Sequence, residues 1–168
     1  LNKLVLKFSI KILRNLNNSG QSYSICEGIK NSKYETIVTL DGDGQNDPKD
    51  IPKLLDLYLF NKEASLVGGI RKNRKDSFVK IFSSKIANSI RSFILDDNCV
   101  DTGCSLKVFN KNKFLEFPYF DGMHRFIPAL FKGYGHKAIF IDVSHRKRIS
   151  GNSKYGTFGR LYKGIKLI

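Results

Sequence analysis

Thr36-Ile37-Val38-Thr39-Leu40 is an apolar, β-branched run that stops at an acidic, glycine-rich turn, Asp41-Gly42-Asp43-Gly44-Gln45-Asn46-Asp47-Pro48. The run predicts a buried strand, and the turn predicts its end. Beyond Pro48, the spacing of Ile51, Leu54, Leu55, Tyr58 and Leu59 predicts a helix. Strand, acidic turn and helix form an α/β unit, and such sheets take ligands just beyond the carboxyl ends of their strands. If the strand persisted to Asp43, Asp41 and Asp43 would share one face. Two close carboxylates repel unless a cation separates them. Mg²⁺ is typically held by one or two carboxylates, waters and substrate phosphate oxygens. The local reading is half of a metal site, completed by a phosphorylated ligand. Its rival is an ordinary polar turn, since Asp and Gly are common turn residues.

The chain has 168 residues, enough for one domain (1–168) with a real core. A formal net charge of +14 favours anionic partners: phosphates, nucleic acid or an acidic membrane surface. Cys26, Cys99 and Cys104 are odd in number and lack metal-site spacing, so neither a disulfide framework nor a zinc site is expected, and a reducing compartment is the simplest inference. The N-terminal segment lacks the features of a signal peptide. No apolar run reaches the roughly 18 residues a membrane span requires.

In chain order, Leu4, Val5, Phe8, Ile12, Leu13 and Leu16 predict an amphipathic helix ending near Asn17-Asn18-Ser19-Gly20. Gln21 to Ile29 predicts a second, short helix, and Ser65 to Ile70 a strand. A basic tract follows, from Arg71 through Lys85 to Arg91, with Phe and Ile at three- and four-residue spacing. It reads as a core-packed helix with a solvated basic face, the commoner case, or as a helix lying on an anionic bilayer. Asp101 to Phe109 reads as a turn feeding an alternating strand. A lone carboxylate such as Asp101 is more often a turn or cap residue than a base. Gly122 to Lys132 predicts a helix kinked by Pro128, with His124 structural or exposed. Lys137 to Val143 predicts a strand. The stretch from Val143 to Ile168 carries seven Lys or Arg and no acid. It reads as a loop that orders on a phosphate or as a disordered basic tail.

Several motifs fail. An EF-hand starting at Asp41 has Asn46 where Gly belongs and Pro52 where Glu belongs. An aspartyl-phosphate phosphatase wants Thr or Ser where Gln45 stands. No P-loop, GxGxxG or Gly-x-Ser-x-Gly elbow is present.

Seven blocks, taken in order, resemble family 2 glycosyltransferases of the GT-A fold, most closely the branch of dolichyl-phosphate and polyprenyl-phosphate mannosyltransferases. They are Gly20-Gln21 to Gly28-Ile29, Ile37 to Pro48, Gly69-Ile70-Arg71, Ser83-Ser84-Lys85, Asp101 to Lys107, Asp121 to Phe126, and Arg148 to Gly156, spanning about residues 14 to 160. The resemblance implies an α/β fold with a mixed, mostly parallel sheet flanked by helices. It implies that Asp41 and Asp43, with Gln45, hold Mg²⁺ or Mn²⁺, and that Asp41, Gly42 and Asp43 bind the donor, a GDP- or UDP-sugar. Asp101 becomes the catalytic base or acceptor-orienting group. Arg71, Lys85 and Arg148, with Ser153 and Lys154, become the site for a polyprenyl phosphate. Where Lys85 stands the family usually shows Arg, and Lys keeps the charge but loses the bidentate fork.

The family's opening blocks, a Pro-x-x-Asn-Glu-like strand and an Asp-Asp-Gly-Ser turn, are not in these residues, so the resemblance implies a chain that starts after them. The implied activity is inverting, metal-dependent sugar transfer at the cytoplasmic membrane face, the protein being peripheral or anchored by segments outside this chain. The competing readings are a glycosyltransferase of the same fold acting on a glycan or other acceptor, and a basic nucleic-acid-binding domain. Against the second, no nucleic-acid motif is visible and the acidic turn repels a phosphate backbone.

Overall fold

The computed structural model describes residues 9–72 and 99–146 of the chain. Four strands, β1 (Thr36–Thr39), β2 (Ala64–Arg71), β3 (Lys107–Asn110) and β4 (Lys137–Val143), form one sheet in the order β1-β3-β2-β4. β3 runs antiparallel to both neighbours, and β2 pairs with β4 in parallel. Among the described residues the sheet is therefore mixed, with β1, β2 and β4 running in one direction and β3 against them. The carboxyl ends of β1, β2 and β4 and the start of β3 all lie along one edge, because Thr39 and Gly68 both pair with Lys107.

Alternation along the strands sorts the core into two clusters. Ile37, Phe109 and Leu66 face one another across three strands and pack with α1 (Gly20–Lys30) and the later helices. α1 contributes Ser22, Cys26 and Ile29, at helical spacing. On the other face Val67 and Val108 pack against α2 (Ile51–Phe60) through Leu54. Phe109 is fully buried and stacks on Phe114, so truncating it to Ala costs about 3–5 kcal/mol. At the β2–β4 contact a side chain at Gly68 would stand 2.9 Å from the Phe140 ring, which explains a glycine inside a strand.

Several expectations need correction. Among the described residues β1 lies at the sheet edge with only Ile37 of the strand buried; Val38 and Leu40 are exposed. The helix expected over Leu4–Leu16 begins outside the described residues, and residues 9–19 are not helical. Ile10, Ile12, Leu13 and Leu16 are exposed, so the apolar stripe lacks the packing that holds a short helix. Pro128 starts a helix, α4 (Ile127–Gly133), after a 3-10 turn at Met123–Arg125. There its missing N–H is harmless and it imposes no kink. β3 is a central strand, buried at Lys107, Val108 and Phe109, so its surroundings do not alternate between core and solvent. A five-residue helix, α3 (Lys111–Leu115), capped by the Asn110 side chain, was not foreseen. Among the described residues no helix is long and apolar enough to cross a membrane.

Candidate active site at the strand ends

The acidic turn begins where β1 stops. β1 ends at Thr39, and Gly42 and Asp43 already form a turn, so strand alternation does not align Asp41 with Asp43. Asp43 instead closes its own turn, its Oδ1 accepting from Gln45 N at 3.0 Å, and Gly44 follows at φ 78°. Asp47 caps the next turn by accepting from Lys49 N, with Pro48 at the first position. That backbone donor, with Arg146 alongside, holds the Asp47 carboxyl below the usual carboxylate range.

The turn is tied to two distant segments. Asn46 forms an antiparallel bridge with His145, Arg146 N donates to Gln45 O (2.9 Å), and Ser144 N donates to Asp50 Oδ2 (2.7 Å). Arg146 also pairs with Asp47, and Gln45 Nε2 lies 3.4 Å from His145 Nε2. On the other side Ser105 is a hub. Its Oγ donates to Asn46 Oδ1 (2.6 Å) and accepts from Asp41 N (3.2 Å), while its carbonyl accepts from Thr39 Oγ1 (2.6 Å).

Asp101 and Arg71, expected in separate roles, are brought together. Arg71 donates from Nε and Nη2 to the two carboxylate oxygens, each at 2.7 Å, and its backbone N donates to Oδ2 at 3.1 Å. The fork is bidentate and Asp101 is only 6% exposed. Gly103 makes room for it, since a Cβ there would stand 2.7 Å from Arg71 Nη2. So placed, Asp101 is poorly suited to take a proton, and Arg71 reaches toward a carboxylate rather than outward. Lys85, Arg148, Ser153 and Lys154, and the basic amphipathic tract, lie outside the described residues.

A cavity of about 680 Å³ opens between α1 and β1, and at the strand-end side its walls include Asp41, Gly42, Gly103, Lys107, His124 and Arg125. Asp41 Oδ1 accepts from Gln21 Nε2 at 3.3 Å, a neutral and long contact. Lys107 is 4% exposed and its Nζ donates to the Cys104 carbonyl. Burial lowers its pKa, while negative groups around it, Asp101 and Asp41 among them, pull the other way. His124 Nδ1 lies 2.7 Å from Ser22 Oγ, which also accepts from Gly122 N. Burial, then the charges of Arg125 and Lys107, lower the His124 pKa to about 4. His124 is thus a neutral, structural histidine on the cavity wall.

Among the described residues no cluster of three or more His, Cys, Asp or Glu encloses a metal. Asp41, whose carboxylate has one weak neutral contact among the described residues, nonetheless suits a hard cation that completes its shell from a phosphorylated ligand. The residues missed at first, Asn46, Ser105, Lys107 and His145, act through contacts made across the fold. For Lys107 a signal existed, since a lysine inside Leu106-Lys107-Val108-Phe109 is a cation in an apolar strand.

Comparison with known proteins follows the same lines. Residues 2–117 match the family described as Glycosyl transferase family 2. A dodecaprenyl-phosphate galacturonate synthase of Rhizobium johnstonii is 37% identical over 151 residues, 88% of this chain and 44% of that protein. An undecaprenyl-phosphate 4-deoxy-4-formamido-L-arabinose transferase of Pectobacterium carotovorum is 32% identical, over 89% of this chain and 45% of the relative. The chain therefore spans less than half the length of these relatives. Among solved structures, glucosyl-3-phosphoglycerate synthase from Mycobacterium tuberculosis, in complex with Mn²⁺, UDP-glucose and glycerol 3-phosphate, superposes with a TM-score of 0.64. It is 10% identical, and the match covers 94% of this chain and 53% of that one. That likeness shows the fold, a mixed α/β sheet of the GT-A type.

Proposed function

The chain belongs to glycosyl transferase family 2, and from that premise we propose that the whole protein transfers a sugar from a nucleotide-diphosphate sugar to a polyprenyl phosphate. The observation that carries the reading is Asp41, standing at a strand end on the wall of a cavity, its carboxylate held by one long neutral contact. The names of the relatives support the acceptor class, since both are polyprenyl-phosphate enzymes. Those names differ in the sugar, galacturonate in one and formamido-arabinose in the other, so the mannosyl donor implied by the resemblance has no support from them.

Asp41 and Asp43, with Gln45, would hold Mg²⁺ or Mn²⁺, which when bound supplies Lewis-acid stabilisation of the charge on a leaving diphosphate. The fold neighbour was solved with Mn²⁺ and UDP-glucose, which supports a divalent ion in this fold. An oxygen of the acceptor phosphate attacks the anomeric carbon, the carbon–oxygen bond to the diphosphate breaks with its electron pair, and the configuration inverts. A phosphate monoester is already an anion, so positioning matters more than a strong base. Asp101 fits that economy, fixing Arg71 and the Thr102–Ser105 loop through its fork. Ser105 then holds the backbone of Asp41 in place. The +14 net charge favours both the phosphates and an anionic, cytoplasmic membrane surface.

The test is sugar transfer by the full-length protein to a short polyprenyl phosphate, with GDP- and UDP-sugars, before and after EDTA and after Mn²⁺ is restored. Asp43→Ala is expected to lower the rate at least about a hundredfold, the scale on which removing a transition-state charge stabiliser acts, and to lower the melting temperature only by a few degrees for the lost Gln45 N bond. Full activity in Asp43→Ala, or in EDTA, defeats the metal role.

A further inference from the structure

Most described carboxylate–cation pairs lie near the surface, and Arg71 holds Asp101 in the interior. Lys107 and Arg125 stand apart. They line the same cavity as Asp41 and Gly103, and neither forms an ion pair with a carboxylate among the described residues. Lys107 is buried and, among the described residues, has the Cys104 carbonyl as its one hydrogen-bond partner. Both lie close enough to His124 for their charges to act on it, one from β3 and one from the 3-10 turn before α4. A buried ammonium without a counter-ion is costly, and a carbonyl does not neutralise it.

We propose that Lys107 and Arg125 form a phosphate-binding cradle in this cavity, taking the oxygens of a phosphoryl group as their missing counter-ion. The inference rests on the glycosyl-transfer reading in that the phosphate belongs either to the donor diphosphate or to the acceptor monoester. The two sources offer the same chemistry, tetrahedral anionic oxygen in a partly desolvated site. Arg125 supplies a planar fork suited to two such oxygens, and Lys107 a point charge from below. Asp41 on the same wall opposes a bare phosphate, which is why a divalent cation and the cradle belong together.

The experiment is calorimetric titration of the full-length protein and of Lys107→Met, Lys107→Arg and Arg125→Gln. The probes are Mn²⁺ with UDP or GDP for the donor side, farnesyl phosphate in detergent for the acceptor side, and pyrophosphate with Mn²⁺ as a probe lacking base and lipid. Lys107→Met and Arg125→Gln are each expected to weaken one phosphate probe by about tenfold or more, the loss of one charge-assisted hydrogen bond. Lys107→Arg should restore most of that affinity, which a purely structural role would not predict. Loss confined to the nucleotide and pyrophosphate assigns the cradle to the donor; loss confined to farnesyl phosphate assigns it to the acceptor. Wild-type binding with Lys107→Met and Arg125→Gln unchanged on every probe overturns the cradle and leaves the glycosyl-transfer reading standing. Wild-type silence toward every probe overturns both. Should Lys107→Met fail to fold, as judged by circular dichroism, Arg125→Gln on the half-exposed cavity wall decides alone.

Discussion

Asp41 and Asp101 lie on loops at the same end of the sheet and differ in nearly everything a carboxylate can experience. Asp101 is buried and receives a bidentate fork and a backbone N–H from Arg71. Asp41 is half-buried, faces a cavity, and receives one amide at 3.3 Å. The first has its countercharge built into the chain. The second has one neutral amide and, among the described residues, no paired cation. The residue type is the same, and the surroundings give one a built-in partner and leave the other open to the cavity.

That contrast can be broken most forcefully at Arg71. Arg71→Met strands a buried carboxylate and is expected to cost about 3–5 kcal/mol, read in a urea melt. A loss below 1 kcal/mol would show that the pair is dispensable and would bring Asp101 closer to Asp41 in character. Gly103→Ala sharpens the same point with one methyl group. Its Cβ meets Arg71 Nη2 at 2.7 Å, so the fork must shift, at about 1–3 kcal/mol. The mildest test is pH. His124 is held near pKa 4 in the fold against an ordinary 6.5, so its contribution is complete above about pH 6.5. That contribution is lost as pH falls toward 4, because the unfolded chain binds the proton first. Melting temperature should therefore drop between about pH 7 and pH 5, and less steeply in His124→Asn, which keeps a partner for Ser22.

Much of the scaffold was legible in the amino-acid order, because its signals are local. β2 and β4 announce themselves as apolar runs bounded by breakers, and α2 by Pro48 and its periodic leucines. The acidic turn was found on the same grounds. What escaped depends on residues far apart in the chain. Arg71 and Asp101 are thirty positions apart, and neither shows in its own neighbourhood that the other completes it. Lys107 looked like one step of an alternating strand until β1 and β2 enclosed it on both sides. Over residues 9–16 the expected N-terminal helix is not formed for the complementary reason: the periodicity is real, but Ile10, Ile12, Leu13 and Leu16 stay exposed among the described residues. From the sequence Pro128 reads as a kink, because the apolar run extends back to Gly122, whereas the helix itself starts at Ile127.

The bridge between Asn46 and His145 has a consequence for how the protein is made. Gln45 and His145 are one hundred positions apart, so the loop that would grip the ion is fastened by a segment synthesised long after it. A nascent chain carries both aspartates out of the ribosome with nothing to clasp them. The clasp on the acidic turn is thus a late event in biogenesis, timed by the arrival of β4 and His145, and a chain cut short before it would keep the turn without that clasp.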